Sequence, residues 1–133
     1  MQIKLSSIMV DDQDKALAFY TTKLGFVKHA DIPMGPFRWL TVVSPDGVDG
    51  AEVVLEPVAF PPAAVYQKAL FDAGIPATAF ISTDIAAEYA RLVAAGVTFR
   101  GEPQNMGPVI TALFEDGCGN LINLAQPTSP PPA

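Results

Sequence analysis

Hydrophobic and polar positions follow strand spacing and then helix spacing along this chain, and the same order of spacings occurs twice. Residues 3–10 alternate as a strand, and apolar residues at helical spacing follow between Asp12 and Gly25. Asp12 is a suitable N-cap for this helix and Gly25 a suitable end. Turns rich in proline and glycine then separate three predicted strands, at 26–30, 37–44 and 51–56. The first half therefore predicts the order βαβββ.

The second half repeats this order. A strand is predicted at 77–82 and a helix from Asp84 to Ala95, capped by Thr83 and ended by Gly96. Three further strands are predicted, near 97–100, 109–115 and 120–125. Equivalent landmarks in the two halves, such as Asp46 and Asp116 in their turns, stand about 70 positions apart, as in a tandem repeat.

The repeat predicts an α+β fold. Two βαβββ units would form a curved, mixed, eight-stranded sheet around a cleft, with the helices outside. We expect one domain over residues 1–126, with unit one at about 2–58, a connector helix at about 62–74 and unit two at about 75–126. The proline-rich segment 127–133 has little apolar surface to bury, so we expect it to be a disordered tail.

Composition narrows the choice of partners. The net charge is −6 and the eight basic residues are scattered, which argues against nucleic acid as a partner. No apolar run reaches the ~20 residues of a membrane span, and the first residues lack the pattern of a signal peptide. The only cysteine, Cys118, excludes an internal disulfide and favours a cytoplasmic location, with a buried structural role preferred over that of a nucleophile.

Two motifs resemble those of a known family. Residues 8–20, IMVDDQDKALAFY, with Leu24-Gly25-Phe26, resemble the opening of the glyoxalase, bleomycin-resistance and dioxygenase family, also called the vicinal oxygen chelate superfamily. Residues 114–122, FEDGCGNLI, resemble its final turn and strand, and the similarity covers residues 2–126. The resemblance implies the doubled βαβββ fold, whereas the family's reactions range from isomerases and ring-cleaving dioxygenases to drug-binding proteins that are not catalytic.

Many members of this family hold a divalent metal through His, Gln or Glu side chains on the first and last strands of each unit. The resemblance places these positions at Leu5, Val54, Ala77 and Asn123. Three of the four have no lone pair to offer, and one asparagine does not hold a transition metal. We therefore expect no cofactor and no metal, with a shifted acidic ligand at Glu52 or Glu56 as the open alternative.

The predicted cleft face is mostly small, soft and apolar. Its candidate ligand-binding residues are Leu5, Ser7, Met9, Trp39, Glu52, Val54, Glu56, Ala77, Ala79 and Asn123. Met106 and Phe114 are further candidates for the lining, with core packing preferred for each. Arg38 is either a partner for a ligand carboxylate or a solvated side chain. If the protein is catalytic, Glu56 and His29 are the candidates for proton transfer.

These residues leave three functions open. The first is a binder of a small, largely apolar organic molecule without a metal. The second is a metal-free enzyme acting next to a carbonyl, and the third is a lyase, isomerase or dioxygenase with unusual metal ligands. We also expect a homodimer, because open sheet edges and a half-open cleft favour a second copy. Pairing of the two units within one chain and exchange between two chains both fit the pattern.

Overall fold

The computed structural model describes residues 1–130, so the tail positions 131–133 lie outside the described residues. The elements are β1 Leu5–Val10, α1 Gln13–Ala18, a π-helical turn Phe19–Lys23, β2 Val27–Met34, β3 Phe37–Val43, β4 Glu52–Pro57, α2 Pro61–Asp72, β5 Thr78–Ile81, α3 Ile85–Ala94, β6 Gln104–Asn105, β7 Val109–Glu115 and β8 Leu121–Pro127. The predicted order βαβββ–helix–βαβββ is confirmed. No helix among the described residues has the length and apolar character needed to cross a membrane.

Within residues 1–130, eight strands form two four-stranded sheets, ordered β1-β4-β3-β2 and β5-β8-β7-β6. In each sheet the first and last strands of the unit pair in parallel, and the other pairs are antiparallel. The two sheets therefore repeat one topology, as a tandem repeat requires. No ladder of hydrogen bonds joins them among the residues described.

One predicted strand is displaced. At 97–100 only Phe99 forms an isolated bridge, to Phe114, and the paired strand is β6 at Gln104–Asn105. Phe99 turns inward, where its ring lies 4.7 Å from that of Tyr89 and 5.5 Å from that of Phe114. Gly101, at φ 152°, then interrupts the extended backbone. The N–H of Arg100 still donates to the carbonyl of Leu113, and the N–H of Glu115 donates to the carbonyl of Thr98, so the segment 97–100 stays attached to β7 through a single bridge.

Two smaller boundaries also differ from the prediction. The N-cap of α3 is Asp84, not Thr83, because the Asp84 carboxylate accepts a hydrogen bond from the N–H of Ala87. The last strand extends through Pro127, which the sequence analysis placed in the tail, and Thr128 continues the contact with a hydrogen bond to the carbonyl of Gly107. The beginning of the predicted tail therefore belongs to the sheet.

The first helix is shorter than its apolar stripe suggested. Asp12 caps it as predicted, accepting a hydrogen bond from the N–H of Lys15 at 2.9 Å. After Ala18 the chain widens into the π-helical turn, which ends before Gly25. The segment between Asp12 and Gly25 is one residue longer than its counterpart in unit two, and a π turn accommodates an extra residue without ending the helix.

A single core joins the two units. Each sheet has a core face, which points toward the helices, and an outer face, which points away from them. Side chains from both core faces meet those of the helices in one cluster, and Phe19 of unit one contacts Phe114 of unit two. Burying these large aromatic side chains in one cluster holds the two units of the predicted tandem fold together.

The two units are tied by a buried polar network, here called the closed seam, formed by Tyr20, Gln67, Asp116, Cys118 and Asn120. The hydroxyl of Tyr20 donates to the Asp116 carboxylate at 2.6 Å. The same carboxylate accepts from the N–H groups of Cys118 and Asn120 and from the Asn120 amide. Asn120 and Gln67 both donate to the carbonyl of Met9 in β1. The closed seam therefore satisfies a fully buried aspartate while fixing the units together.

Candidate functional site

Six of the predicted ligand-binding residues lie side by side on the outer face of the first sheet. The parallel pairing of β1 with β4 sets the register, because residues directly paired across two strands share a face. The three pairs are Leu5 with Glu52, Ser7 with Val54 and Met9 with Glu56. The sequence placed these residues correctly with respect to one another, although their role in binding stays a prediction.

Both carboxylates on this face are held by hydroxyl groups. Ser7 Oγ donates to Glu56 Oε1 at 2.9 Å. Thr41 Oγ1 donates to Glu52 Oε1 at 2.8 Å while accepting from the backbone N–H of Ala30 at 3.1 Å. His29 Nε2 lies 3.6 Å from the same Glu52 oxygen. Each hydroxyl leaves the second oxygen of its carboxylate available, so the face presents acceptors to a ligand.

Apolar side chains occupy the remainder of this outer face. Trp39 is partly buried and pairs with Ile32 of β2, two positions along β3 from Thr41. Leu5 is 49% exposed, and Ile32, Met34 and Phe37 are exposed to a similar degree. Single exposed apolar residues are ordinary, but several large ones on one sheet face are typical of a binding surface.

The second sheet presents a smaller and more neutral outer face. Ala79 pairs with Asn123, which pairs in turn with Leu113. Ala77 precedes β5 and is exposed, with its N–H bonded to the carbonyl of Leu121. The side-chain oxygen of Asn123 is buried and has no hydrogen-bond partner among the residues described. A buried acceptor without a donor costs about 1–3 kcal/mol, so Asn123 is a polar position that a ligand could stabilise.

The predicted site residues thus form two groups rather than one. Those of unit one lie on the outer face of the first sheet, and Ala77, Ala79 and Asn123 belong to the outer side of the second. Among residues 1–130 no ladder of hydrogen bonds joins the two sheets, so these two groups of residues belong to separate sheets.

Three other candidate residues lie away from the outer faces or at their margin. Arg38 is on the helix side of β3, hydrogen-bonded to Asp31 at 2.9 Å and also to Asp14. The hydrogen bond to Asp31 raises the pKa of the Arg38 guanidinium, so this side chain is a structural cation. Phe114 is 1% exposed in the core, whereas Met106 is 61% exposed beyond β6.

Cys118 has the buried structural role that the sequence favoured. It is fully buried in the closed seam. Burial, followed by the charge of Asp116, raises the pKa of its thiol to about 12. A thiol in this environment stays protonated near neutral pH and is a poor nucleophile.

The sequence analysis missed Thr41, which connects Glu52 to β2. Thr41 is fully buried and stands two positions after Trp39, so strand alternation alone would have put it on the same face. Its role depends on the register between β3 and β4, which pairs it with Val54, and that register is not visible in the sequence.

The residues present do not fit the divalent metal of many family members. The positions that the resemblance assigned to ligands carry Leu5, Val54, Ala77 and Asn123, of which only the last offers a donor atom. Among residues 1–130, no group of three or more His, Cys, Asp or Glu side chains is arranged to hold a metal ion. His29 and Glu52 supply two donors, fewer than a stable site requires.

Comparisons with known proteins agree with this fold. The chain is 56% identical to YurT of Bacillus subtilis strain 168, an uncharacterized protein, over 95% of this chain and 99% of that protein. The crystal structure of UcmS2 has a TM-score of 0.81 and 35% identity, covering 94% of this chain and 97% of that one. That of TnmS3, an antibiotic binding protein from Streptomyces sp. CB03234, has a TM-score of 0.76 and 32% identity, covering 96% and 97%. The family profile matches residues 2–124, and the chain belongs to the Glyoxalase/Bleomycin resistance protein/Dioxygenase superfamily.

Proposed function

We propose that this protein binds a small, largely apolar organic molecule on the outer faces of its sheets, without a metal, and that it does so as a binder rather than an enzyme. The observation that carries the proposal is the outer face of the first sheet, where exposed apolar side chains surround two hydrogen-bonded carboxylates. Such a surface suits a carbon-rich ligand that is anchored by a few polar contacts. The antibiotic-binding description of TnmS3 supports the same class of ligand.

The binding cleft would be completed by a second copy of the chain. The two groups of predicted site residues lie on separate sheets that no ladder of hydrogen bonds joins among residues 1–130, and the second sheet of a partner would close the cleft over the first sheet of this chain. The two faces would not repel each other, since one carries the carboxylates of Glu52 and Glu56 and the other carries the uncharged Ala79 and Asn123. A homodimer of two-fold symmetry would contain two such clefts. Light scattering tests this, and a single-chain mass at high concentration would contradict it.

The proposal includes a cytoplasmic location and the absence of a resident metal. A cytoplasmic binder of apolar compounds would protect the cell by lowering their free concentration. The absence of a resident metal is tested by elemental analysis after purification without chelator. Stoichiometric zinc, nickel, iron or manganese that survives dialysis would support the metal-dependent alternative instead.

A second candidate function rests on the pair formed by His29 and Glu52. A histidine within 3.6 Å of a carboxylate resembles the arrangement that positions a general base. Glu56, bonded to Ser7, is the other candidate for moving a proton next to a carbonyl. Turnover of a bound compound that is lost in His29→Gln or Glu56→Gln, with binding retained, would favour this enzyme function over simple binding.

The binding proposal is tested with Trp39, the only tryptophan and therefore an unambiguous fluorescence reporter. Apolar aromatic compounds should quench it saturably. Leu5→Glu places a charge in the apolar part of the face and should weaken binding at least tenfold, about 1.4 kcal/mol. Val65→Glu is the matched control, because Val65 is an exposed apolar residue on α2, away from this face. Equal affinity in the two variants would exclude the outer face as the site.

A further inference from the structure

The repeat creates a second contact between the two units, here called the open seam. In the open seam the end of β5 meets the turn 44–50 between β3 and β4. In the closed seam the end of β1 meets the equivalent turn, 116–120. A cavity of about 440 Å³ occupies the open seam. Its lining includes Phe26, Ser44, Asp46, Phe80, Leu92 and Leu124. Its volume lies in the range of small-molecule pockets.

Equivalent positions in the two seams show what the open seam lacks. Leu92 stands in α3 where Tyr20 stands after α1, counted from the helix caps Asp84 and Asp12. Asp46 occupies the place of Asp116 in its turn. In the closed seam the tyrosine ring fills the space and its hydroxyl bonds to the aspartate, whereas leucine has neither the ring nor the hydroxyl.

The turn of the open seam is correspondingly loose. Two residues beyond the aspartate, Cys118 is fully buried in the closed seam, and Val48 is 83% exposed in the open one. The Asp46 carboxylate has no hydrogen-bond or ion-pair partner among residues 1–130, in contrast to the multiply bonded Asp116. The carboxylate of Asp46 in the open seam is therefore available to accept a hydrogen bond, whereas that of Asp116 in the closed seam already accepts several.

The walls of the cavity suit an aromatic ring. Phe26 and Phe80 pack edge-to-face, with ring centroids 5.1 Å apart, and Leu92 and Leu124 form an apolar floor. Arg91, at the rim, is already bonded to the carbonyl of Lys23 and to Glu88. The charge that remains free is the negative charge of Asp46, which disfavours carboxylates and phosphates.

We propose that the open seam is a second ligand site, which binds an uncharged phenolic compound of one or two rings. The ring occupies the space equivalent to that of Tyr20, and the phenolic hydroxyl donates to Asp46. This site is separate from the outer face around Leu5 and Trp39, so it extends the proposed function rather than restating it. The closed seam of the same molecule serves as the structural template for the interaction.

The test uses 2-naphthol and its methyl ether, 2-methoxynaphthalene, which has the same rings but no hydroxyl donor. Methyl groups labelled with ¹³C distinguish the sites in one NMR titration. We expect 2-naphthol to shift Leu92 and Leu124 saturably, and the ether to bind at least tenfold more weakly. Shifts confined to Leu5 and Val54 on the outer face, or equal affinity for the two compounds, would overturn the proposal while leaving outer-face binding intact.

Two variants complete the design. Asp46→Asn should weaken the binding of 2-naphthol at least tenfold, whereas Asp49→Asn, in the same turn but outside the cavity lining, should leave it unchanged. Leu92→Tyr recreates the closed-seam arrangement and should abolish binding by filling the cavity. If Leu92→Tyr does not fold, the Asp46 and Asp49 pair decides alone. Unchanged affinity in Asp46→Asn would contradict the assignment of the hydroxyl partner and with it the proposal.

Discussion

The closed seam and the open seam occupy equivalent places in a repeated fold but have different chemistry. In the closed seam, Tyr20, Asp116 and Asn120 are almost fully buried and mutually hydrogen-bonded. In the open seam, Leu92 lines a cavity, and Asp46 is exposed and has no hydrogen-bond partner among residues 1–130. The closed seam links the two units through buried hydrogen bonds, and the equivalent place in the repeat holds a cavity instead. Under the proposal above, the two copies of the repeat would divide stability and binding between them.

The largest expected difference between the seams concerns their two aspartates. Asp116→Ala leaves the hydroxyl of Tyr20 and the N–H groups of Cys118 and Asn120 buried without an acceptor. We expect a loss of about 3–5 kcal/mol in the free energy of unfolding. Asp46→Ala removes an exposed carboxylate and should change the free energy of unfolding by less than about 0.5 kcal/mol. Urea unfolding of both variants measures this, and comparable losses would show that the open seam is structural too.

A second, smaller effect concerns Tyr20 alone. Tyr20→Phe keeps the ring and removes only the hydroxyl, so Asp116 retains its bonds to Cys118 and Asn120. We expect a loss of about 1–2 kcal/mol at neutral pH. The same denaturation measurement applies, with Tyr66→Phe on the exposed side of α2 as the control. If Tyr20→Phe lowered the free energy of unfolding no more than the control does, the Tyr20 hydroxyl would not stabilise the closed seam.

The alkaline behaviour of the same variant sharpens this prediction. Burial, followed by the charge of Asp116, raises the pKa of Tyr20 well above its ordinary value. Above about pH 10 the unfolded state loses the Tyr20 proton while the folded state keeps it. The hydroxyl therefore contributes its full stability below about pH 10, and this contribution is lost as the pH rises toward the pKa of the folded state. Tyr20→Phe should show a shallower alkaline loss than the wild type. Identical slopes above pH 10 would contradict the raised pKa.

Much of the fold could be predicted from the sequence, because its strongest signals are local. The side chain of Asp12 caps the first helix, so the residue itself indicates where that helix begins. Strand alternation places Leu5, Ser7 and Met9 on one face of β1. Tertiary contacts decide the details that local preference does not. The segment around Phe99 pairs with β7 through one bridge only, and the contacts that join the two units, such as Phe19 with Phe114, link residues far apart in the chain.

Part of the candidate site could be predicted from the sequence. The grouping of Glu52, Val54 and Glu56 follows from period-two alternation, whereas their hydroxyl partners depend on register between strands. The open seam could not be predicted from local patterns, because a cavity leaves no signal of its own in the sequence. It becomes apparent when the two repeats are aligned and Leu92 is seen to occupy the position equivalent to Tyr20.

The smallest expected difference tests the turns themselves. Cys118→Ala removes a fully buried sulfur from the closed seam and should cost about 1 kcal/mol through lost packing. Val48→Ala, at the equivalent place in the open seam, shortens a side chain that is 83% exposed and should change stability by less than about 0.5 kcal/mol. Thermal or urea unfolding under reducing conditions compares the two. If Val48→Ala cost as much as Cys118→Ala, the turn 44–50 would pack closely in solution, and the cavity of the open seam would be closed to a ligand.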